Sequence, residues 1–279
     1  MIRLMGLEDI DGGMRLKQAA GWNQTRQDWA NVLALEPQGC WVYETAGTVA
    51  GSTTVTCYGQ DLAWVGLVLV LPEFRGRGYA RALMEHALSF LQRRDVRAVR
   101  LDATDMGRPL YESLGFREET HIERWAAQAV PKRPPESKTP LTPLEDIAGV
   151  AALDRRAFGA DRTNVLGLLA GHFPAESIQA PAGYAMARPG SEAHFIGPCV
   201  AQDVATARSL IEVLLGRHSG RNVFWDLLPE NTAALRLARE LGFECKRRLA
   251  RMALGDVPHL DATRGDSSLQ FATAGFEYG

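Results

Sequence analysis

The sequence predicts an α/β protein with a mixed (α+β) sheet, built twice from one plan, and three observations carry that prediction. An uninterrupted apolar stretch at residues 66–71 stops at Pro72 and passes through a loop bearing Arg75, Gly76, Arg77 and Gly78 into an amphipathic helix. The elements read from periodicity run strand, two helices, three strands, helix, strand, helix, strand over the first 126 residues. Finally, LYESLGFREETHIERW in the first half is answered by LARELGFECKRRLARM in the second, pairing Gly115 with Gly242, Phe116 with Phe243 and Arg124 with Arg251. A repeat of that size implies two like domains packed together.

In order, residues 2–4 form a short strand and residues 7–20 a helix weakened by Gly12 and Gly13 and closed by Gly21. Trp22, Asn23 and Gln24 link it to a second helix, which opens on a capping box of Thr25 with Asp28. Residues 41–44 and 49–56 alternate as two strands about a turn at Ala46-Gly47, and Gly59-Gln60-Asp61 turns the chain into the central strand. That strand has no polar interruption, so both of its faces should be covered. The helix after the loop places Ala80, Leu83, Met84, Ala87, Leu88 and Leu91 on one face. A strand at 96–103, a short helix opening at Pro109 and ending at Gly115, and a strand at 116–125 complete the first half.

The loop carries the chemistry. The first amides of a helix lack intrahelical partners and sit at the positive end of its dipole, so a glycine loop feeding them cradles phosphate oxygens. Gly76 and Gly78 allow close approach, and Arg75 and Arg77 add charge and forked donors. The dinucleotide pattern G-x-G-x-x-G is broken by Arg81, and the Walker ending G-K-[ST] is missing. Arg75-x-x-Gly78-x-Ala80, after a buried strand and before an amphipathic helix, resembles the acyl-coenzyme A pyrophosphate signature [QR]-x-x-G-x-[GA] of the GCN5-related N-acetyltransferase (GNAT) superfamily. Leu110-Tyr111-x-x-x-Gly115-Phe116 is similar to a second motif of that superfamily; Thr104 stands seven residues before the tyrosine, where members often carry Asn.

The resemblance implies two tandem GNAT-like acyl-CoA N-acyltransferase domains: residues 1–127 catalytic, 128–141 a Pro-rich linker, 142–256 a degenerate copy, and 257–279 a polar tail that packs across a surface or stays loose. The linker rests on the five prolines between Ala126 and Leu144. In the second half, helices are expected at 144–158, 164–170 and 232–241, strands at 183–188, 192–201 and 222–227, and a helix with Ala207, Leu210, Ile211, Leu214 and Leu215 on one face. Gln202-x-x-Ala205-x-Ala207 replaces the signature there, and Ala238 replaces Tyr111, while Asn231 keeps the asparagine that the first half lacks.

By the same resemblance, acetyl-CoA is the co-substrate. Val68, Leu69 and Val70 bind its pantetheine arm and thioester through the backbone, edge-on like an added strand. Arg75, Gly76, Arg77, Gly78, Tyr79, Ala80 and Arg81 hold the pyrophosphate, and Tyr111 is the general acid for the leaving thiolate. Asp102, ending a strand near the expected thioester, is the candidate general base, with a water held by backbone carbonyls as the alternative. Trp22, Asn23, Trp29 and Trp64 are expected acceptor-site walls. The reaction implied is direct attack of a primary amine, of a small molecule or amino acid, on acetyl-CoA in a ternary complex. A non-catalytic acyl-CoA sensor and an enzyme acting on protein N-termini or lysines are the alternatives.

Composition is that of a globular chain, and a net charge of −2 supplies no reason to expect nucleic acid or an anionic membrane as partner. No apolar run reaches bilayer length and the first residues are acidic where a signal peptide is apolar, so a cytoplasmic location is expected. A monomer containing an intramolecular pseudo-dimer, or a homodimer, fits the duplication. Cys40, Cys57, Cys199 and Cys245 are scattered, with no zinc or disulfide spacing, and read as buried thiols; no metal is expected.

Overall fold

The computed structural model describes residues 1–131 and 140–279, so the centre of the expected linker lies outside the described residues. The first half runs β1 (Ile2–Leu4), α1 (Ile10–Ala20), α2 (Arg26–Leu35), β2 (Cys40–Thr45), β3 (Thr48–Tyr58), β4 (Leu62–Val70), α3 (Tyr79–Arg93), β5 (Ala98–Ala103), α4 (Arg108–Ser113) and β6 (Arg117–Ala127). The second runs β7 (Thr142–Pro143), α5 (Ile147–Phe158), α6 (Thr163–His172), β8 (Ser177–Ala180), β9 (Gly183–Arg188), β10 (His194–Ala201), α7 (Val204–Arg217), β11 (Val223–Leu227), α8 (Thr232–Glu240) and β12 (Glu244–Gly255). A short α9 (Val257–Ala262) and β13 (Gln270–Ala272) follow. Local chemistry sets the helix ends. Gly21 closes α1 in the left-handed region, and the Thr25 hydroxyl accepts from the Asp28 amide while the Asp28 carboxylate accepts from Thr25 N–H.

Among the described residues all thirteen strands join one mixed sheet, in the order β1-β2-β3-β4-β5-β12-β6-β11-β10-β9-β8-β7, with β13 beside β10. The two halves therefore exchange their last long strands. β12, from the second half, pairs antiparallel with β5 (Ala250 opposite Ala103), and β6, from the first, pairs with β11 (Trp125 opposite Trp225). Each exchanged strand carries an arginine that closes a two-pronged ion pair on the strand it joins. Arg124 donates to Asp226 at 2.7 and 2.6 Å, and Arg251 donates to Asp102 at 2.9 and 3.1 Å. These are the two arginines that the sequence repeat aligns. Both pairs are buried, so a register slip would strand charges away from water, which is far costlier than losing a surface pair.

Helices cover both faces. On one, α3 packs Leu83, Met84, Ala87 and Leu91, and α4 packs Tyr111, against the first half of the sheet, and α7 and α8 do the same for the second with Leu210, Ile211, Leu214 and Leu237. On the other, Trp29 and Val32 of α2 and Val165, Leu166 and Leu169 of α6 share one core, which joins the halves.

The segment after β12 starts on the surface with α9, but its last residues are neither loose nor superficial. Residues 269–279 are buried throughout, with Trp64 Nε1 donating to Phe276 O at 3.1 Å and the Tyr58 hydroxyl to Tyr278 O. Gly66 marks the crossing: a Cβ there would lie 2.9 Å from the Glu277 Cα. A polar stretch with isolated aromatics reads as a surface segment because it lacks a periodicity of its own. Its burial depends on partners contributed by both halves. The expectation that all four cysteines are buried holds for Cys40 and Cys199 only; Cys57 is half-buried and Cys245 is exposed on β12.

Candidate active site

The site begins with a defect in a strand. β4 and β5 pair in parallel only at Leu62–Ala98, Ala63–Val99 and Trp64–Arg100, and beyond that point they diverge. The cause lies on the other edge of β4, where the register with β3 shifts between Ser52 and Thr54 and Leu67 adopts φ +49. An extra residue on one strand bends it and frees its outer edge. The Ser52 hydroxyl holds the bulge by donating to Leu67 O at 2.7 Å.

The divergence opens a cavity of about 530 Å³ lined by Val68, Leu69, Val70, Arg75, Ala80 and Tyr111, among others. At its cofactor end, Gly76 and Gly78 sit at φ +74 and +81, and α3 starts without a side-chain cap or an acidic residue in its first turn. Backbone amides 76–81 have no hydrogen-bond partner among the described residues, and a Cβ at Gly78 would meet nothing within 4 Å. Open space over a run of free amides at the positive end of a 15-residue helix is what a pyrophosphate requires. The arginines are less convergent than the motif suggests. Arg75 donates to Val70 O at 3.2 Å, Arg77 donates to Glu73 O and covers the Phe74 ring, and Arg81 donates to Ser113 and pairs with Glu85. Tyr79 stacks on Tyr43 with centroids 3.8 Å apart, which leaves its backbone rather than its ring for a ligand.

Tyr111 is buried on α4 beside the cavity, and its hydroxyl makes no hydrogen bond among the described residues. Burial alone pushes its phenol above its ordinary value, so it is a proton donor throughout the neutral range.

Asp102 does not fit the role of base. It lines the cavity, but its side chain is wholly buried and both oxygens accept from Arg251. Burial raises its pKa, against the neighbouring Arg251. Its counterpart Asp226 makes the same pair with Arg124, so the position is explained by strand exchange. Sequence reasoning placed Asp102 at the right strand end but had no means of finding its partner 149 residues away.

Of the four expected acceptor-site residues, only Trp22 reaches the cavity, beside Ala19 and Ala20. Asn23 is buried and clasps the second half, donating to Ala193 O and accepting from the Glu192 and Ala193 amides at 2.9–3.0 Å. Trp29 is fully enclosed in the joint core, its indole 2.8 Å from where a Cβ on Gly13 would lie. Trp64 is sealed by residues 276–279 and covered by the Arg251 guanidinium at 4.6 Å. A wall residue that the sequence did not suggest is Arg247, from β12 of the second half.

The corresponding place in the second half is filled. β10 and β11 diverge after Ile196 and Trp225, as β4 and β5 do, but β13 lies between them. Cys199 and Val200 pair with Ala272 and Gln270, Trp225 Nε1 donates to Phe271 O at 2.6 Å, and Thr273 N–H donates to Asp226 O at 3.0 Å. Asn231 donates to both Ser268 O and Gln270 O at 3.0 Å. At the helix start, the Asp203 carboxylate accepts from Thr206 N–H at 2.8 Å, putting a negative charge where a phosphate would bind. The chain's own strand thus occupies the slot that the first half leaves open.

A bulged strand splayed from its neighbour, a free helix start beside the splay and a buried tyrosine across it frame the cavity of the first half. Two family models, each described as an acetyltransferase (GNAT) domain, match residues 36–118 and 150–264. The chain belongs to the GNAT superfamily, as a member with two GNAT domains in tandem. It is 27% identical over 161 residues to the protein described as uncharacterized N-acetyltransferase YitH of Bacillus subtilis, covering 57% of this chain and 56% of that protein. It thus spans about half the length of the curated relative it matches. A putative acetyltransferase from Pyrococcus horikoshii shares the fold over 100% of this chain and 95% of its own, with TM-score 0.85 and 22% identity. A tandem GNAT protein from the clavulanic acid biosynthesis pathway aligns over 91% of this chain and 98% of its own, with TM-score 0.65 and 19% identity. Among the described residues no helix is long and apolar enough to cross a membrane.

Proposed function

We propose that the first domain transfers the acetyl group of acetyl-CoA to a primary amine of a small molecule or amino acid, by direct attack in a ternary complex. The observation that carries this reading is the run of unpartnered amides at residues 76–81 opening onto the same cavity as the Tyr111 hydroxyl. Acetyl-CoA supplies an activated thioester. Amides 76–81 bind its pyrophosphate, and the backbone of Val68, Leu69 and Val70 on the free edge of β4 aligns the pantetheine arm and polarises the thioester carbonyl. Tyr111 protonates the departing sulfur. With Asp102 held by Arg251, no side-chain base is assigned, and the amine loses its proton to water ordered by backbone carbonyls at the splay.

A small acceptor is favoured over a protein because Trp22 and the second half's Arg247 both contribute to the cavity wall. The test is thiol release over a panel of amines, with Tyr111→Phe as control. Cofactor binding with no turnover on any amine would replace the enzyme with a sensor of acyl-CoA.

A further inference from the structure

Of the two arginines in the cavity wall, Arg247 is the one contributed by the second half, and it has no ion-pair partner among the described residues. It reaches the site because β12 belongs to the exchanged pair. Side chains alternate along a strand, so Arg247, Leu249 and Arg251 share one face and Ala250 and Met252 the other. Leu249 packs with Phe276, and Arg251 covers Trp64, whereas Met252 packs with Tyr111 in the core beneath α3 and α4. Arg247 therefore enters from the sheet face opposite Tyr111 and lines the same cavity as Trp22.

Its surroundings leave it short of a counter-charge. Nearby Asp226 is already engaged at both oxygens by Arg124. The Arg247 guanidinium rests over the Phe276 ring at 5.3 Å, and its enclosed Nε has no hydrogen-bond acceptor. Burial and the neighbouring Arg124 press its pKa below the ordinary arginine value. A forked guanidinium that lines the cavity and is held on an aromatic ring with no anion paired to it is poised for a planar or tetrahedral anion. On the cofactor side, by contrast, the exposed Arg75 is tied to Val70 O.

We infer that the acceptor amine bears an anionic group, carboxylate or phosphate, which Arg247 of the second domain binds while the amine faces the thioester. This rests on the acetyltransferase reading above and deepens it. It also gives the filled second domain a use: one of its strands supplies the specificity residue of the first domain's site.

The experiment measures thiol release from acetyl-CoA by the full chain with common L-amino acids, β-alanine and phosphoethanolamine, each against its neutral counterpart (the amino-acid amides, propylamine and ethanolamine). Accepted anionic amines should exceed their counterparts in kcat/KM by about 10- to 100-fold, the worth of a charge-assisted hydrogen-bond pair. Whether the carboxylate or the phosphate series shows the advantage identifies the anion. Arg247→Gln should abolish the advantage by raising the acceptor KM while the acetyl-CoA KM stays constant, and Arg247→Lys should restore part of it. Should Arg247→Gln not fold, the wild-type comparison within each pair still decides. Equal use of neutral and anionic amines, or an Arg247→Gln effect on acetyl-CoA rather than on the acceptor, overturns the inference but not the activity. No turnover of any amine, with acetyl-CoA still bound, overturns the activity and this inference with it.

Discussion

Replacing Gly78 by alanine separates the cofactor loop from the fold. Gly78 lies at φ +81 with open space around its missing Cβ, so the substitution clashes with nothing and costs only the strain of a left-handed non-glycine residue. That strain is about 1–2 kcal/mol. For a chain of this size it lowers Tm by roughly 2–8 °C. The ligand side is different. The new Cβ points into the space a pyrophosphate needs, and relief of strain re-aims the neighbouring amides. Losing two amide–phosphate bonds at about 1.5–3 kcal/mol each weakens binding by roughly 10²- to 10⁴-fold. Titration calorimetry with coenzyme A, alongside thermal unfolding, checks both numbers. An affinity within about threefold of wild type would refute the amide cradle, since even one lost charge-assisted bond exceeds that. So would a binding loss matched by global unfolding, because the structure predicts that the two are separable.

Tyr111→Phe should lower kcat by about 10²-fold or more with little change in either KM, as expected for loss of a general acid. Because burial raises that phenol, the wild-type rate should show no loss from tyrosine ionisation as pH rises toward about 10, the ordinary phenol value, and an alkaline limb well below it would exclude Tyr111 as the acid. Calorimetry should find one coenzyme A per chain; two would mean that β13 leaves its slot. Arg188 pairs with Glu277 at 2.9 Å and Asp28 at 3.3 Å, all three buried between the halves. Arg188→Met should therefore destabilise the chain by about 3–5 kcal/mol in a denaturant titration, and a change under about 1 kcal/mol would show that the network contributes little. Tyr58, Tyr111, Tyr184 and Tyr278 are all raised by burial. Phenols protonated in the fold but ionised when unfolded make stability fall as pH climbs above about 10 toward the folded-state values; a flat alkaline limb in unfolding curves would contradict their burial.

By itself the sequence determined what is local. The strand–loop–helix read at residues 66–91, the capping box at Thr25, the tyrosine on α4 and the duplication are all written in short-range spacing, because helix starts, turns and apolar faces depend on neighbours a few residues apart. Only the tertiary structure decided what depends on pairing across more than a hundred residues. That covers the exchange of β6 and β12, the capture of Asp102 by Arg251, the arrival of Arg247 at the first domain's cavity, and the filling of the second slot by β13. A strand's partner is chosen by burial and charge closure summed over both edges, and neither sum can be formed until the two halves meet.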